Sequence, residues 1–154
     1  MLTRFVLTVS GIILCNSCTE PGAKVCTEIG CTNGFVASLN HPSWAAGTYR
    51  FDIQIDGEKF TCLTSLPFAS CNLPQPCDSD KVRIGLSGCA LPSSNHSVSD
   101  IGTSLVNFSE MKLKITRNTE ILLDKSLRPT FKTSQPNGPG CEPVCRNANE
   151  SVQF

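Results

Sequence analysis

The residues with the most chemical reach in this chain are cysteines. Ten occur in 154 positions. Two of them, Cys141 and Cys145, bracket Glu142-Pro143-Val144 at a spacing close to that of a redox pair. A dithiol that exchanges with substrates wants two intervening residues and a thiol acidified at a helix N-terminus. Here three residues intervene, one of them proline, and Gly138-Pro139-Gly140 leads into the first cysteine. The pair reads first as a structural staple. An exported thiol–disulfide enzyme using Cys141 and Cys145 is the alternative.

Other chemistry is sparse. The two histidines, His41 and His96, both fall in turn-rich stretches. A Ser/His/Asp set can be written from His96, Asp100 and any of several serines, but no nucleophile-elbow pattern positions them. Asp78-Ser79-Asp80 offers carboxylates to a calcium ion, yet without the spacing of a calcium loop. The cysteines lack the two-residue spacings of structural zinc sites, and no phosphate-binding glycine loop occurs. The sequence therefore assigns no catalytic residue, no metal ligand and no cofactor, and the chain is not expected to be an enzyme. Formal charge is zero, with 13 basic and 13 acidic residues, so no basic excess is available for nucleic acid.

The cysteine content points to an oxidising compartment, and the first residues agree. Met1 to Arg4 gives a short positive start, and Phe5 to Leu14 is an uncharged apolar run. It is shorter than the ~20 residues of a membrane-spanning helix and suits the core of a secretory signal. Leu14-Cys15-Asn16-Ser17-Cys18 resembles a bacterial lipoprotein cleavage site, with Ser17 before an acceptor thiol at Cys18 and a cysteine where such sites usually carry leucine. The expected organisation is a signal peptide at 1–17, a lipid-anchored tether at 18–25 and one disulfide-rich domain at 26–154. Ordinary cleavage after Ala23 is the alternative. The protein would then sit at a bacterial outer membrane or periplasm as a lipoprotein, or else be secreted. It would touch membrane only through its lipid, and its partner would be an unnamed envelope or extracellular component.

Setting aside Cys15 and Cys18 leaves Cys26, Cys31, Cys62, Cys71, Cys77, Cys89, Cys141 and Cys145. An even number in an exported domain reads as four disulfides. Local spacing pairs Cys71 with Cys77, Cys26 with Cys31 and Cys141 with Cys145, which leaves Cys62 for Cys89 as a long-range link between layers.

These groups must be carried by strands. Residues 48–55 alternate polar and apolar, Asp56-Gly57 is the preferred pair of a type I′ turn, and 58–62 resume alternation. That turn sets Ile53 opposite Phe60 and Phe51 opposite Cys62, all facing the core with Tyr49. A second hairpin joins 111–115 to 121–127. A three-residue loop at Asn118-Thr119-Glu120 sets Ile115 opposite Leu123 and Met111 opposite Leu127, and buries more apolar surface than a two-residue loop. Shorter strands are expected at 34–39, 81–86 and 129–133, with 150–154 as an edge strand. Residues 66–80, 91–102 and 134–140 read as loops, where a binding site would sit. Helical turns fit near 43–46 or 89–92. The expected fold is an all-β, small disulfide-stapled antiparallel β-sandwich, immunoglobulin-like or transthyretin-like. Asn95, Asn107 and Asn149 each open an N-glycosylation pattern, of consequence only in a eukaryotic secretory pathway, where Asn107 would have to be exposed.

The segments Trp44-Ala45-Ala46-Gly47-Thr48-Tyr49-Arg50-Phe51, Ser87-Gly88-Cys89-Ala90-Leu91-Pro92 and Gln135-Pro136-Asn137-Gly138-Pro139-Gly140-Cys141 resemble a group of uncharacterised, cysteine-rich predicted lipoproteins of myxobacteria-like bacteria. The likeness spans most of the mature chain. It implies export and the cysteine framework, and carries no function.

Overall fold

Alternation in two hairpins builds one sheet of the molecule. The computed structural model describes residues 24–154 apart from Leu73 and Gln75; the expected signal peptide, the expected acceptor Cys18 and most of the expected tether lie outside the described residues. In the first hairpin, β2 (Gly47–Ile55) and β3 (Glu58–Leu66) are joined by Asp56 and Gly57, both at positive φ, as a type I′ turn requires. Ile53 faces Phe60 and Phe51 faces Cys62. Tyr49, Phe51, Ile53, Phe60 and Cys62 are all buried. In the second, β6 (Met111–Arg117) and β7 (Glu120–Leu127) keep the expected pairs Ile115–Leu123 and Met111–Leu127. The device differs from expectation. The turn has two residues, Asn118-Thr119, and the register is shifted afterwards by a bulge that leaves Leu122 without an opposite number. The four strands run β3-β2-β6-β7 across the sheet.

The facing sheet has order β4-β5-β1-β9-β8, from β1 (Gly34–Asn40), β4 (Val82–Ser87), β5 (Ser97–Thr103), β8 (Lys132–Ser134) and β9 (Cys145–Gln153). All pairs are antiparallel except β1 with β9. Successive hairpins alternate between the sheets, β2–β3, β4–β5, then β6–β7, with β5 returning beside β1 and β6 beside β2. This is the immunoglobulin-like Greek-key path. The core lies between the layers, with Phe35, Ala37, Val82, Ile101 and Val152 from one sheet meeting Phe51, Ile53, Met111, Leu113 and Ile115 from the other.

Three expectations about elements are corrected. Residues 97–103 form a strand, not a loop. Ser99 is an extra residue opposite the Gly85–Leu86 step, so Val98 and Ile101 both reach the core at a spacing that hides the period of two. The last strand begins at Cys145 and lies between β1 and β8, not at an edge. The one helical turn among the described residues is Ser93–Asn95, just beyond the expected place.

The disulfides correct every expected pairing. Cys26 joins Cys141, Cys31 joins Cys145, Cys62 joins Cys77 and Cys71 joins Cys89. Proximity in sequence misleads because a stretched segment of three to five intervening residues carries its ends apart, while β1 and β9 bring distant cysteines side by side. Cys62 is buried and bonded as expected, but its partner lies in the loop that follows its own strand. There Leu63 N–H donates to Pro76 O at 2.8 Å and Asp78 N–H to Thr61 O at 3.0 Å. The loop thus covers the free edge of β3, which would otherwise be open to strand pairing. The link between layers falls instead to Cys71–Cys89, from the segment after β3 to the turn after β4.

Strand direction gives the sandwich two distinct poles. β1 and β9 run together from Gly34 and Asn147 to Asn40 and Gln153, roughly 20 Å at ~3.3 Å per residue. At their start lies the N-terminal arm, fixed by Cys26–Cys141 and Cys31–Cys145. Asn137 also clamps the arm, accepting from Ile29 N–H at 2.9 Å and donating to Ile29 O at 3.1 Å. At their far end lie the β1–β2 loop, the β4–β5 loop and Phe154.

Candidate functional site

The pole away from the arm carries an open groove of about 1050 Å³. The β1–β2 loop supplies His41 and Trp44, the β4–β5 connection supplies Ser94, Asn95 and Ser97, and Phe154 follows β9. Its rings are fixed against one another. His41 stacks on Phe154 with centroids 4.6 Å apart, and its Nδ1–H donates to Phe154 O at 2.7 Å. Trp44 meets both rings edge-on, at 5.3 and 5.9 Å, and rests on Tyr49 at 5.1 Å. Such tilted contacts suit the ring quadrupoles. Tyr49 is buried at the start of β2, and its hydroxyl donates to Ala45 O at 2.7 Å, which pins the loop carrying Trp44. Burial is the main cause that raises the Tyr49 pKa above its ordinary 10.0, with the nearby Arg117 acting the other way. The hydroxyl therefore stays a neutral donor.

The opposite wall is held by His96. Its Nδ1 accepts from Phe68 N–H at 2.9 Å, so the neutral ring carries its proton on Nε2, which donates to Leu91 O at 3.2 Å. Phe68 stacks on the same ring at 4.8 Å. Gly88, at positive φ, lets the chain fold back against Asn95 O, which a Cβ would approach within 2.1 Å. With Cys71–Cys89, these contacts tie the segment after β3 to the β4–β5 connection.

Chemically, the groove offers rings, amides and hydroxyls. No lysine, arginine, aspartate or glutamate lines it. Among the described residues, neither Trp44 Nε1–H nor His41 Nε2 has a hydrogen-bond partner, and no side-chain N or O is buried unpaired.

The constellations written from sequence are not assembled. Both His96 nitrogens are committed to backbone, and Asp100 bonds Arg83 at 2.7 Å and the Ser99 hydroxyl at 2.7 Å. Cys141 and Cys145 are each buried and bonded to a residue of the N-terminal arm, so they form no dithiol pair; the thiol–disulfide enzyme reading is corrected on that ground. Asp78 accepts from Thr61 N–H and Ser79 Oγ from Lys81 N–H, bracing their loop. Among the described residues no three His, Cys, Asp or Glu gather as a metal site. Asn95, Asn107 and Asn149 are exposed. A second concavity of about 540 Å³ lies at the stapled pole, on the outer face of the β4-β5-β1-β9 sheet. Its Arg83 is already paired with Asp100.

Sequence reasoning placed a binding site in the loops and reached one wall of the groove, 94–99. It missed the other, His41 and Trp44, because the ring that completes the cluster is Phe154, 113 residues from His41. The local signal was an aromatic pair in His41-Pro42-Ser43-Trp44, just past a strand. No family model, curated protein or solved structure matches this chain. The four disulfides, which pair every cysteine among the described residues, point to an oxidising, extracytoplasmic setting. Among the described residues no helix is long and apolar enough to cross a membrane.

Proposed function

We propose that this protein is a non-catalytic binding module of a bacterial envelope, of the cysteine-rich lipoprotein type its motifs resemble. In this reading it is anchored by lipid at Cys18 and binds through the groove of His41, Trp44 and Phe154. The observation that carries it is the opposition of the two poles. The N-terminal arm is stapled at the start of β1 and β9, and the groove opens at their other end. A chain tethered through residues 18–25 would hold its stapled pole toward the membrane and its groove outward. Acyl chains would supply the only membrane contact, and stable retention takes more than one of them.

Metabolic labelling with a fatty-acid analogue tests the anchor. The wild-type chain is expected to take up label and the Cys18→Ala chain to take up none. Label persisting in Cys18→Ala would rule out this acceptor, and an unlabelled wild-type chain trimmed after Ala23 would make the protein freely secreted.

A further inference from the structure

We propose that Cys71–Cys89 is an exchangeable disulfide, a redox-sensitive latch that takes an incoming thiol at Cys71 and releases the loop after β3. The proposal goes beyond the binding reading and does not depend on what the groove binds. Burial separates this disulfide from the other three. Cys141, Cys145 and Cys62 are at most 2% exposed, and each belongs to a different pair. Cys71 is exposed and Cys89 half-buried, so this pair alone of the four has no buried half.

Thiol–disulfide exchange makes that difference decisive. A thiolate attacks one sulfur and expels the other as a new thiolate. In the other three pairs the reachable residue is Cys26, Cys31 or Cys77, and the charge would fall on its buried partner. Burial raises a thiol's pKa, and a thiolate of high pKa is a poor leaving group. Packing blocks attack on the buried sulfur itself. At Cys71 neither obstacle applies: the incoming thiolate meets an exposed residue, and Cys89 leaves from a half-buried one. One S–S bond breaks, one forms, and the Cys89 thiolate takes a proton from solvent. The co-reactant is a thiol, and no oxidant is consumed. A small thiol stops at the mixed disulfide. A protein dithiol goes on to leave both cysteines reduced and itself oxidised.

Opening has a local consequence. Phe68 N–H is held by His96, and Pro76 O by Leu63 N–H. Between Phe68 and Pro76, among the described residues, the hydrogen bond is the one from Asn72 N–H to Ser70 Oγ, internal to the loop. Cys71–Cys89 is thus the covalent tie that holds residues 69–72 to the turn after β4. With both loop ends still fixed, Cys71 stays near Cys89. The Cys89 thiolate can then attack Cys71 Sγ, expel the bound thiol and reclose the latch.

The purified, oxidised protein is treated with glutathione under native conditions, quenched with N-ethylmaleimide and mapped without further reduction. Glutathione is expected on Cys71 and the maleimide on Cys89, at least about tenfold faster than any label on the other three pairs. Amides from Ala69 to Asn72 should then exchange hydrogen faster, while Phe68 and Leu63 keep the protection of the closed protein. Withdrawing glutathione before the quench should restore the disulfide. The Cys71→Ser/Cys89→Ser chain should show the open exchange pattern with no thiol present. Label arriving first, or equally fast, at Cys26, Cys31 or Cys77 would overturn the exchangeable pair. So would a native protein that takes no label under conditions that label the denatured one. Glutathione found on Cys89 instead would overturn Cys71 as the acceptor. Loss of Phe68 or Leu63 protection on opening would overturn the latch as a local device.

Discussion

His96 and Phe68 lie 28 residues apart, and one supplies the acceptor for the other's backbone: His96 Nδ1 takes the Phe68 N–H at 2.9 Å. The ring is thereby a brace between loops. His96→Ala leaves a buried N–H unpaired, at about 1–3 kcal/mol, and removes the stacked ring as well. Denaturant unfolding should show that loss, with faster proteolysis between Pro67 and Cys71. Wild-type stability in His96→Ala would contradict the brace.

The hairpin turn at the stapled pole carries a pH signature. Asp56 accepts from the Ser109 hydroxyl at 2.8 Å and from the Glu110 and Ser109 amides at 3.1 Å. The Ser109 hydroxyl, then the amides, hold its carboxyl below the ordinary 3.8. A depressed folded pKa stabilises the fold above the unfolded value and loses that contribution as pH falls through the folded one. Asp56→Asn should therefore flatten the stability profile below about pH 4. Acid titration of unfolding, wild type against variant, measures it; parallel profiles would refute the role.

Lys125 has a place in the edge chemistry. It sits opposite the fully buried Leu113, on the core-facing side of β7, yet remains exposed because β7 is the outermost strand. A charge facing inward on an edge strand, together with the bulge at Leu122, discourages another strand from adding there. Lys125→Val should raise self-association, seen as a concentration-dependent shift in light scattering. A strictly monomeric variant would show that the edge is protected otherwise.

What was legible follows the range of the interactions. Phe51, Ile53 and Phe60 could be placed because alternation and Asp56-Gly57 are local. The second hairpin kept its register because Met111, Ile115, Leu123 and Leu127 must all be covered, although the bulge that achieves it leaves no mark in composition. β5 was hidden by one inserted residue, Ser99. β9 was misread because Cys145 to Gln153 is mostly polar and pairs with a strand more than a hundred residues away. The groove shares that obstacle: its rings meet only after β1 and β9 align.

The paired staples predict a non-additive cost. Each closes a loop of about the same length, with separations of 115 and 114 residues. With one intact, the other adds only a short extra loop. Removing Cys26–Cys141 alone should therefore cost about 2–3 kcal/mol, and removing Cys31–Cys145 as well a further 4–5 kcal/mol or so. Thermal unfolding of the single and double serine variants measures this, and equal steps would refute it.

Peptide mapping without reduction tests the two-pole organisation most directly. The expected map links Cys26 to Cys141 and Cys31 to Cys145, fixing the arm beside β9, and Cys71 to Cys89 at the groove pole. A Cys141–Cys145 linkage, with Cys26 joined to Cys31, would free the arm, undo the opposition of anchor and groove, and restore the cysteine pair to consideration as a redox site.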